Sequence, residues 1–183
     1  LEYYKPGDYN TEVAYMGCRT RVLGNVHDPS KAVTCGRGNL SFTSINLPRL
    51  GIEAKGDVKR FYELLDDRID LVIRQLLHRF KIQCTKRVRN YPFLMGQGIW
   101  IDSENLDIDD SVAEVLKNGT LSVGFIGLAE TLKALIGKHH GESEEAQKLG
   151  LEIISHMRRR MDEESQKTGL NFTLLATPAE GLS

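Results

Sequence analysis

Apolar residues recur at helical spacing through Val58, Phe61, Tyr62, Leu65, Ile69, Val72, Ile73, Leu76, Leu77 and Phe80, which predicts one long helix from about residue 57 to Cys84. At 1.5 Å per residue such a helix is roughly 40 Å long, so it is expected to flank something larger than this chain. A second long helix is expected from about Ser143 to Thr168, with Ala146, Leu149, Ile153, Ile154, Met157 and Met161 on one face and Gly169 as its stop. The residues from Leu40 to Leu47 alternate apolar and polar, which predicts a strand with one buried face, closed by Pro48. Leu40, Phe42, Ile45 and Leu47 lose parity, so a bulge is expected near Ser44. Further on, Leu121 to Gly127 reads as a buried strand, Leu128 to Ile136 as a helix and Leu170 to Ala176 as another strand. Asp109 or Asp110 is expected to cap a short helix through Val112, Val115 and Leu116 that ends at Asn118-Gly119. Strands alternating with helices give an α/β class with largely parallel strands covered by helices.

Two stretches escape this pattern. Residues 1 to 39 hold Pro6-Gly7-Asp8, Gly24-Asn25 and Asp28-Pro29-Ser30, which is turn chemistry joining short extended pieces. The segment from Asn90 to Trp100 is a loop apolar enough that it must be covered. With 183 residues, 40% of them hydrophobic, the chain can bury the core of one ordinary domain. Its net charge of −1 supplies no global field for nucleic acid or an anionic membrane. Cys18, Cys35 and Cys84 are an odd, widely spaced set without a C-x-x-C pair, which argues against a disulfide framework or a cysteine-rich zinc site. With no apolar run of membrane-spanning length and no signal-peptide design at Leu1 to Lys5, a reducing, cytoplasmic setting is expected.

Candidate chemistry gathers at a few places. In Met16-Gly17-Cys18-Arg19-Thr20, Cys18 is either a reactive sulfur at a loop tip, helped by the charge of Arg19, or a small apolar residue beneath a loop. Thr177-Pro178-Ala179-Glu180 has the order of a capping box, and such a helix start either holds an anion or serves as a plain cap. The chain stops at Ser183 directly after opening that helix, and a piece of a longer protein is therefore expected. His139 and His140 with Glu142 lack the i, i+4 pairing of a helical metal site, so no metal is expected there. Arg158-Arg159-Arg160 reads as a solvated helix face, and His27-Asp28 before Pro29 as a turn. Cys84 reads as structural, as does Cys35, with an approach to the functional site as the alternative for Cys35.

Three stretches, Met16-Gly17-Cys18-Arg19-Thr20-Arg21, Gly36-Arg37-Gly38-Asn39 through Arg49, and Asn171 through Thr177-Pro178-Ala179-Glu180-Gly181, closely resemble the catalytic domain of anaerobic (class III) ribonucleoside-triphosphate reductases. Gly119 to Glu130 resembles a fourth stretch of that family, in the right order. The resemblance implies part of a ten-stranded α/β barrel of the glycyl-radical type, with long flanking helices and an inserted finger loop at about residues 13–24. It implies that residues 1–183 belong to a single catalytic barrel domain, with the N-terminal barrel strands and a C-terminal glycyl-radical domain outside this chain. By the same resemblance Cys18 matches the radical cysteine and Met16 stands near it. Asn39 matches the amide near the 2′/3′ face of the ribose, although by its own chemistry it is equally a turn residue after Gly38. Thr177, Pro178, Ala179, Glu180 and Gly181 match the substrate-phosphate loop.

The implied reaction is reduction of ribonucleoside triphosphates to deoxyribonucleoside triphosphates for DNA synthesis. The implied cofactor is a glycyl radical on a glycine outside this chain, with zinc in the C-terminal domain and no metal here. The implied partners are formate as reductant, dNTP and ATP effectors, a radical-SAM iron–sulfur activating enzyme and a second subunit, with no nucleic acid or membrane. The chain lacks an Arg-x-x-Gly-Tyr motif and is expected to be inactive alone. A non-catalytic nucleotide-binding or scaffold piece is one alternative. A pyruvate formate-lyase relative is another, although that type pairs adjacent cysteines and Cys18 has no such neighbour.

Overall fold

The computed structural model describes Gly7, the backbone of residues 15–16 and 20–21, and residues 24–32 and 35–178. Two short strands, β1 (Tyr15–Met16) and β2 (Thr20–Arg21), precede β3 (Asn39–Asn46), α1 (Leu47–Ala54) and the long α2 (Val58–Cys84). Then come α3 (Ala113–Leu116), β4 (Thr120–Ile126), α4 (Leu128–Ile136), α5 (Glu144–Thr168) and β5 (Asn171–Ala176). The larger sheet has the order β3-β4-β5. Its neighbours rise in number together: Thr120 meets Asn39 and Gly124 meets Ser44 on one side, while Ser122 meets Thr173 and Phe125 meets Thr177 on the other. The three strands therefore run parallel, and helices make the return journeys that parallel strands require.

The chain divides into two compact units, one of residues 1–41, 77–121 and 164–172, the other of residues 42–76, 122–163 and 173–183. In the second unit, Phe61, Leu65 and Ile69 of α2, Leu132 of α4 and Ile153, Met157 and Met161 of α5 are fully buried. In the first, Val88, Trp100, Val112, Leu116, Leu121 and Phe172 are buried. Phe61, Leu65, Ile69, Val112, Leu116, Ile153, Met157 and Met161 are periodic positions of the sequence, and α2 and α5 fall within a residue or so of the expected bounds.

Several local expectations are corrected. Pro48 does not merely stop a strand: β3 ends at Asn46, whose side chain accepts from the N–H of Arg49 at 3.2 Å, and Pro48 sits in the first turn of α1. Proline is tolerated there because that N–H has no partner inside the helix. β3 is continuous through Ser44, and its single buried face reduces to Ile45, with Phe42 56% exposed on this terminal strand of the sheet. Neither Asp109 nor Asp110 caps α3, whose N-cap is Val112; the Asp110 carboxylate instead accepts from the N–H of Asp107 at 2.8 Å. The apolar loop before Trp100 is only partly covered: Met95 and Trp100 are buried, the indole N–H donating to the Val115 carbonyl at 2.8 Å, while Phe93 is exposed. Arg158, Arg159 and Arg160 are not one solvated face. Arg158 pairs with Asp162 on its own helix, whereas Arg160 reaches Asp66 and Asp70 of α2, and His156 joins the same Asp66 at 2.8 Å.

The turn from β4 into α4 relies on one glycine. Gly127 has φ +71°, and a Cβ there would lie 2.2 Å from Cγ of Pro48. Both the left-handed backbone and the proline ring reject a side chain. Gly127→Ala is expected to lower stability by about 2 kcal/mol or more, from left-handed strain plus overpacking. A urea-denaturation loss smaller than about 0.5 kcal/mol would contradict that account of the turn.

Candidate functional site

Strands β1 and β2 pair antiparallel, Tyr15 opposite Arg21 and Met16 opposite Thr20. Gly17, Cys18 and Arg19 join them in the chain, and Cys18 itself lies outside the described residues, as do Ala179, Glu180 and Gly181. For Met16 the backbone alone is described. After β2 the chain enters a buried polar network of the first unit. Asn25 Nδ2 donates to Asn118 Oδ1 at 2.8 Å, and Asn171 Nδ2 donates to Asn25 Oδ1 at 3.1 Å. Asn171 also accepts from the N–H of Val26 at 2.7 Å and donates to the carbonyls of Lys117 and Gly119, both at 3.1 Å. Arg37, buried just before β3, donates to the carbonyls of Asn118 at 2.8 Å and Gly24 at 2.7 Å. Burial pushes its guanidinium below its ordinary value, but an arginine keeps its charge in a protein.

Asn39 is the first residue of β3 and is half-buried. Thr120 Oγ1 lies 3.2 Å from its Oδ1, and the Thr120 N–H donates to the Gly38 carbonyl at 2.9 Å. A backbone bond and a side-chain contact from one residue therefore orient the amide. An amide held in this way offers donor and acceptor groups that do not titrate.

Thr177 stands just beyond β5, in the second unit. Its N–H donates to the Phe125 carbonyl at 2.9 Å, which extends the sheet by one residue, and its Oγ1 lies 2.6 Å from Ser44 Oγ. Gly124 makes that hydroxyl pair possible: a Cβ on it would be 2.2 Å from Thr177 Oγ1 and 2.6 Å from Ser44 Oγ. Pro178 is half-buried. Asn39 and Thr177 thus belong to different units, each site held by its own contacts. Sequence reasoning missed Thr120, Ser44 and the three asparagines. The one signal available was the loss of alternation at Ser44; Asn25 and Asn118, each beside a glycine, look like turn residues, and Asn171 looks like an ordinary strand residue.

The remaining candidates resolve into structure. Asp28 caps the turn at Pro29, accepting from the N–H and hydroxyl of Ser30 at 3.1 and 2.6 Å, and that hydroxyl bond holds its carboxyl below the usual range. His139 Nδ1 accepts from the N–H of Gly141 at 3.0 Å, and Glu142 accepts from the N–H of His139 at 2.9 Å, so both side chains close a turn. Cys35 is exposed rather than packed, while burial pushes the Cys84 thiol up. Among the described residues no helix is long and apolar enough to cross a membrane.

A family model described as anaerobic ribonucleoside-triphosphate reductase matches residues 1–183. Relatives bearing that name from Escherichia coli (strain K12) and Haemophilus influenzae are 36% and 34% identical over 91% and 92% of this chain. A third, from Enterobacteria phage T4, is 30% identical over 93% of the chain. The chain spans about a quarter of their length: 24% of the two bacterial proteins and 27% of the phage protein. Among solved structures, the anaerobic ribonucleotide reductase of Thermotoga maritima with citrate in the active site aligns over 79% of this chain and 25% of its own, with a TM-score of 0.61 at 17% identity. The same enzyme in complex with dATP and CTP aligns over 80% of this chain and 23% of its own, with a TM-score of 0.55 at 17% identity. At such identities the likeness speaks for the α/β fold.

Two outcomes follow from the site's packing. Asn171→Ala strands the buried Asn25 Oδ1 and Gly119 carbonyl along with the part-buried Val26 N–H, and is expected to cost about 2–4 kcal/mol by urea denaturation, with a loss under about 1 kcal/mol contradicting it. Because its raised thiol pKa leaves less thiolate at any given alkaline pH, Cys84 is expected to react with an alkylating reagent at about pH 8 more slowly than exposed Cys35. Peptide mapping of the labelled protein, with Cys18 replaced by serine, checks the order.

Proposed function

Because the chain belongs to the anaerobic ribonucleoside-triphosphate reductase family, we propose that the protein containing it reduces ribonucleoside triphosphates to 2′-deoxyribonucleoside triphosphates by radical chemistry centred on Cys18. The observation that carries this reading is the family match along all of residues 1–183, which includes both the segment around Cys18 and the segment after β5. The register of β1 and β2 supports a finger at about residues 13–24, since it makes Gly17-Cys18-Arg19 the link between two paired strands.

In this reading a thiyl on Cys18 takes the 3′-hydrogen of the ribose, breaking a C–H bond and forming S–H. The 2′-hydroxyl gains a proton and leaves as water. Formate supplies the two electrons and is oxidised to carbon dioxide, and Cys18 returns its hydrogen to C3′. The glycyl radical, on a glycine of a C-terminal domain that also holds zinc, supplies the oxidising equivalent that generates the thiyl. Asn39, oriented by Thr120, hydrogen-bonds the 2′/3′ face of the ribose, and Met16, two residues before Cys18, belongs to the same catalytic segment. Thr177, Pro178, Ala179, Glu180 and Gly181 belong to a substrate-phosphate loop at about residues 177–183, in which the backbone N–H groups of Ala179, Glu180 and Gly181 hold the triphosphate as helix N-termini hold anions.

The same reading extends the three parallel strands to a ten-stranded barrel in a cytoplasmic homodimer. A radical-SAM iron–sulfur enzyme activates it, and dNTP and ATP effectors regulate it. The Thermotoga maritima structures with dATP in the specificity site and with dATP and CTP support the effector part.

The test is made in the full-length, activated protein under anaerobic conditions. Cys18→Ser is expected to abolish deoxynucleotide formation while the glycyl-radical signal in electron paramagnetic resonance persists; turnover by that variant would remove Cys18 from its role. Asn39→Ala is expected to slow reduction by about 10- to 100-fold, the loss of one hydrogen bond to a polar group made in the transition state. Omitting formate is expected to stop turnover, and unchanged turnover without it would replace formate with another reductant.

A further inference from the structure

Ser44 is the residue at which the alternation of β3 breaks; it is exposed, and its side chain reaches across β4 to the residue just after β5. Its hydroxyl lies 2.6 Å from that of Thr177, across a Gly124 that has no room for a side chain. Each hydroxyl carries one proton and two acceptor lone pairs. The bond between them uses one proton, and the second remains for an acceptor outside the pair. A phosphate oxygen is such an acceptor and has no proton of its own to compete.

We propose that Ser44 is a substrate-binding residue whose hydroxyl, paired with Thr177 over Gly124, donates a hydrogen bond to the phosphates of the ribonucleoside triphosphate. The proposal rests on the reading of Thr177 to Gly181 as the phosphate loop and adds to it a ligand from a different strand, far away in sequence. Thr177 then presents the loop, and Ser44 supplies a second directional donor that an apolar residue at the same place lacks. Gly124 is the condition for both, because any larger residue drives the two hydroxyls apart.

The test uses the full-length, activated protein, steady-state kinetics with a ribonucleoside triphosphate, and tripolyphosphate as a competitive inhibitor that carries the phosphates alone. Ser44→Ala is expected to raise KM and the tripolyphosphate inhibition constant by about ten- to a hundredfold with kcat within about twofold, the loss of one hydrogen bond to a charged acceptor. Ser44→Thr, which keeps the hydroxyl, is expected to restore most of both. Thr177→Val and the double variant are measured beside them. If Ser44→Ala changes neither constant while Thr177→Val raises both, the role of Ser44 is overturned and the phosphate loop stands. If Thr177→Val also changes neither, the phosphate-loop reading itself fails. A double variant no worse than Thr177→Val means that Ser44 only holds Thr177 in place, which likewise overturns direct donation; a further loss in the double variant supports it.

Discussion

Three buried asparagine side chains, Asn25, Asn118 and Asn171, bond to one another and fix where the strands of the first unit begin. They join segments 93 and 146 residues apart in sequence, so the network exists only once the chain has folded around it. A buried amide left unpaired is costly, which makes the arrangement all-or-none: each member satisfies groups that the others would strand. Asn171 is the first residue of β5, Asn118 lies two residues before β4, and Arg37, donating to the Asn118 carbonyl, lies two residues before β3. The same network takes hold of the chain at Asn25, four residues after β2. Apolar packing gives the unit its stability, but these directional bonds set its register.

The two candidate sites are built in different ways. Asn39 is set by the strand beside it, through one backbone and one side-chain contact from Thr120. Thr177 is set by the absence of a side chain at Gly124, which lets two hydroxyls meet across the middle strand of the sheet. Both depend on parallel neighbours being in step, so the register of the sheet is itself part of each site. Both candidate sites lie at strand ends, where a side chain or an N–H leaves the ladder and becomes available to a ligand.

Much of the fold was legible in the sequence because its signals are periodic. The apolar rows of α2 and α5 and the run through β4 are long enough to survive local exceptions. What escaped was chemistry that depends on a partner distant in sequence. Pro48 reads equally as the end of a strand or the opening of a helix, and Asn46, bonding to Arg49, decides for the helix. Arg160 looked like one of three surface charges until Asp66 and Asp70 of another helix drew it in. Asp110 had the right residue type for a helix cap, but the N–H of Asp107 captured it first. Cys18 and the loop after Thr177 are candidates only through the resemblance to a family, since a single thiol or a capping order is too common to carry a function alone.

The exposure of Phe42 on the terminal strand β3, with Leu71 47% exposed in the same unit, bears on how this chain behaves as a solute. Apolar side chains beside the hydrogen-bonding edge of a strand invite another strand to add on. A surface of this kind answers to detergent or denaturant more than to salt, because what it offers a partner is apolar area rather than charge.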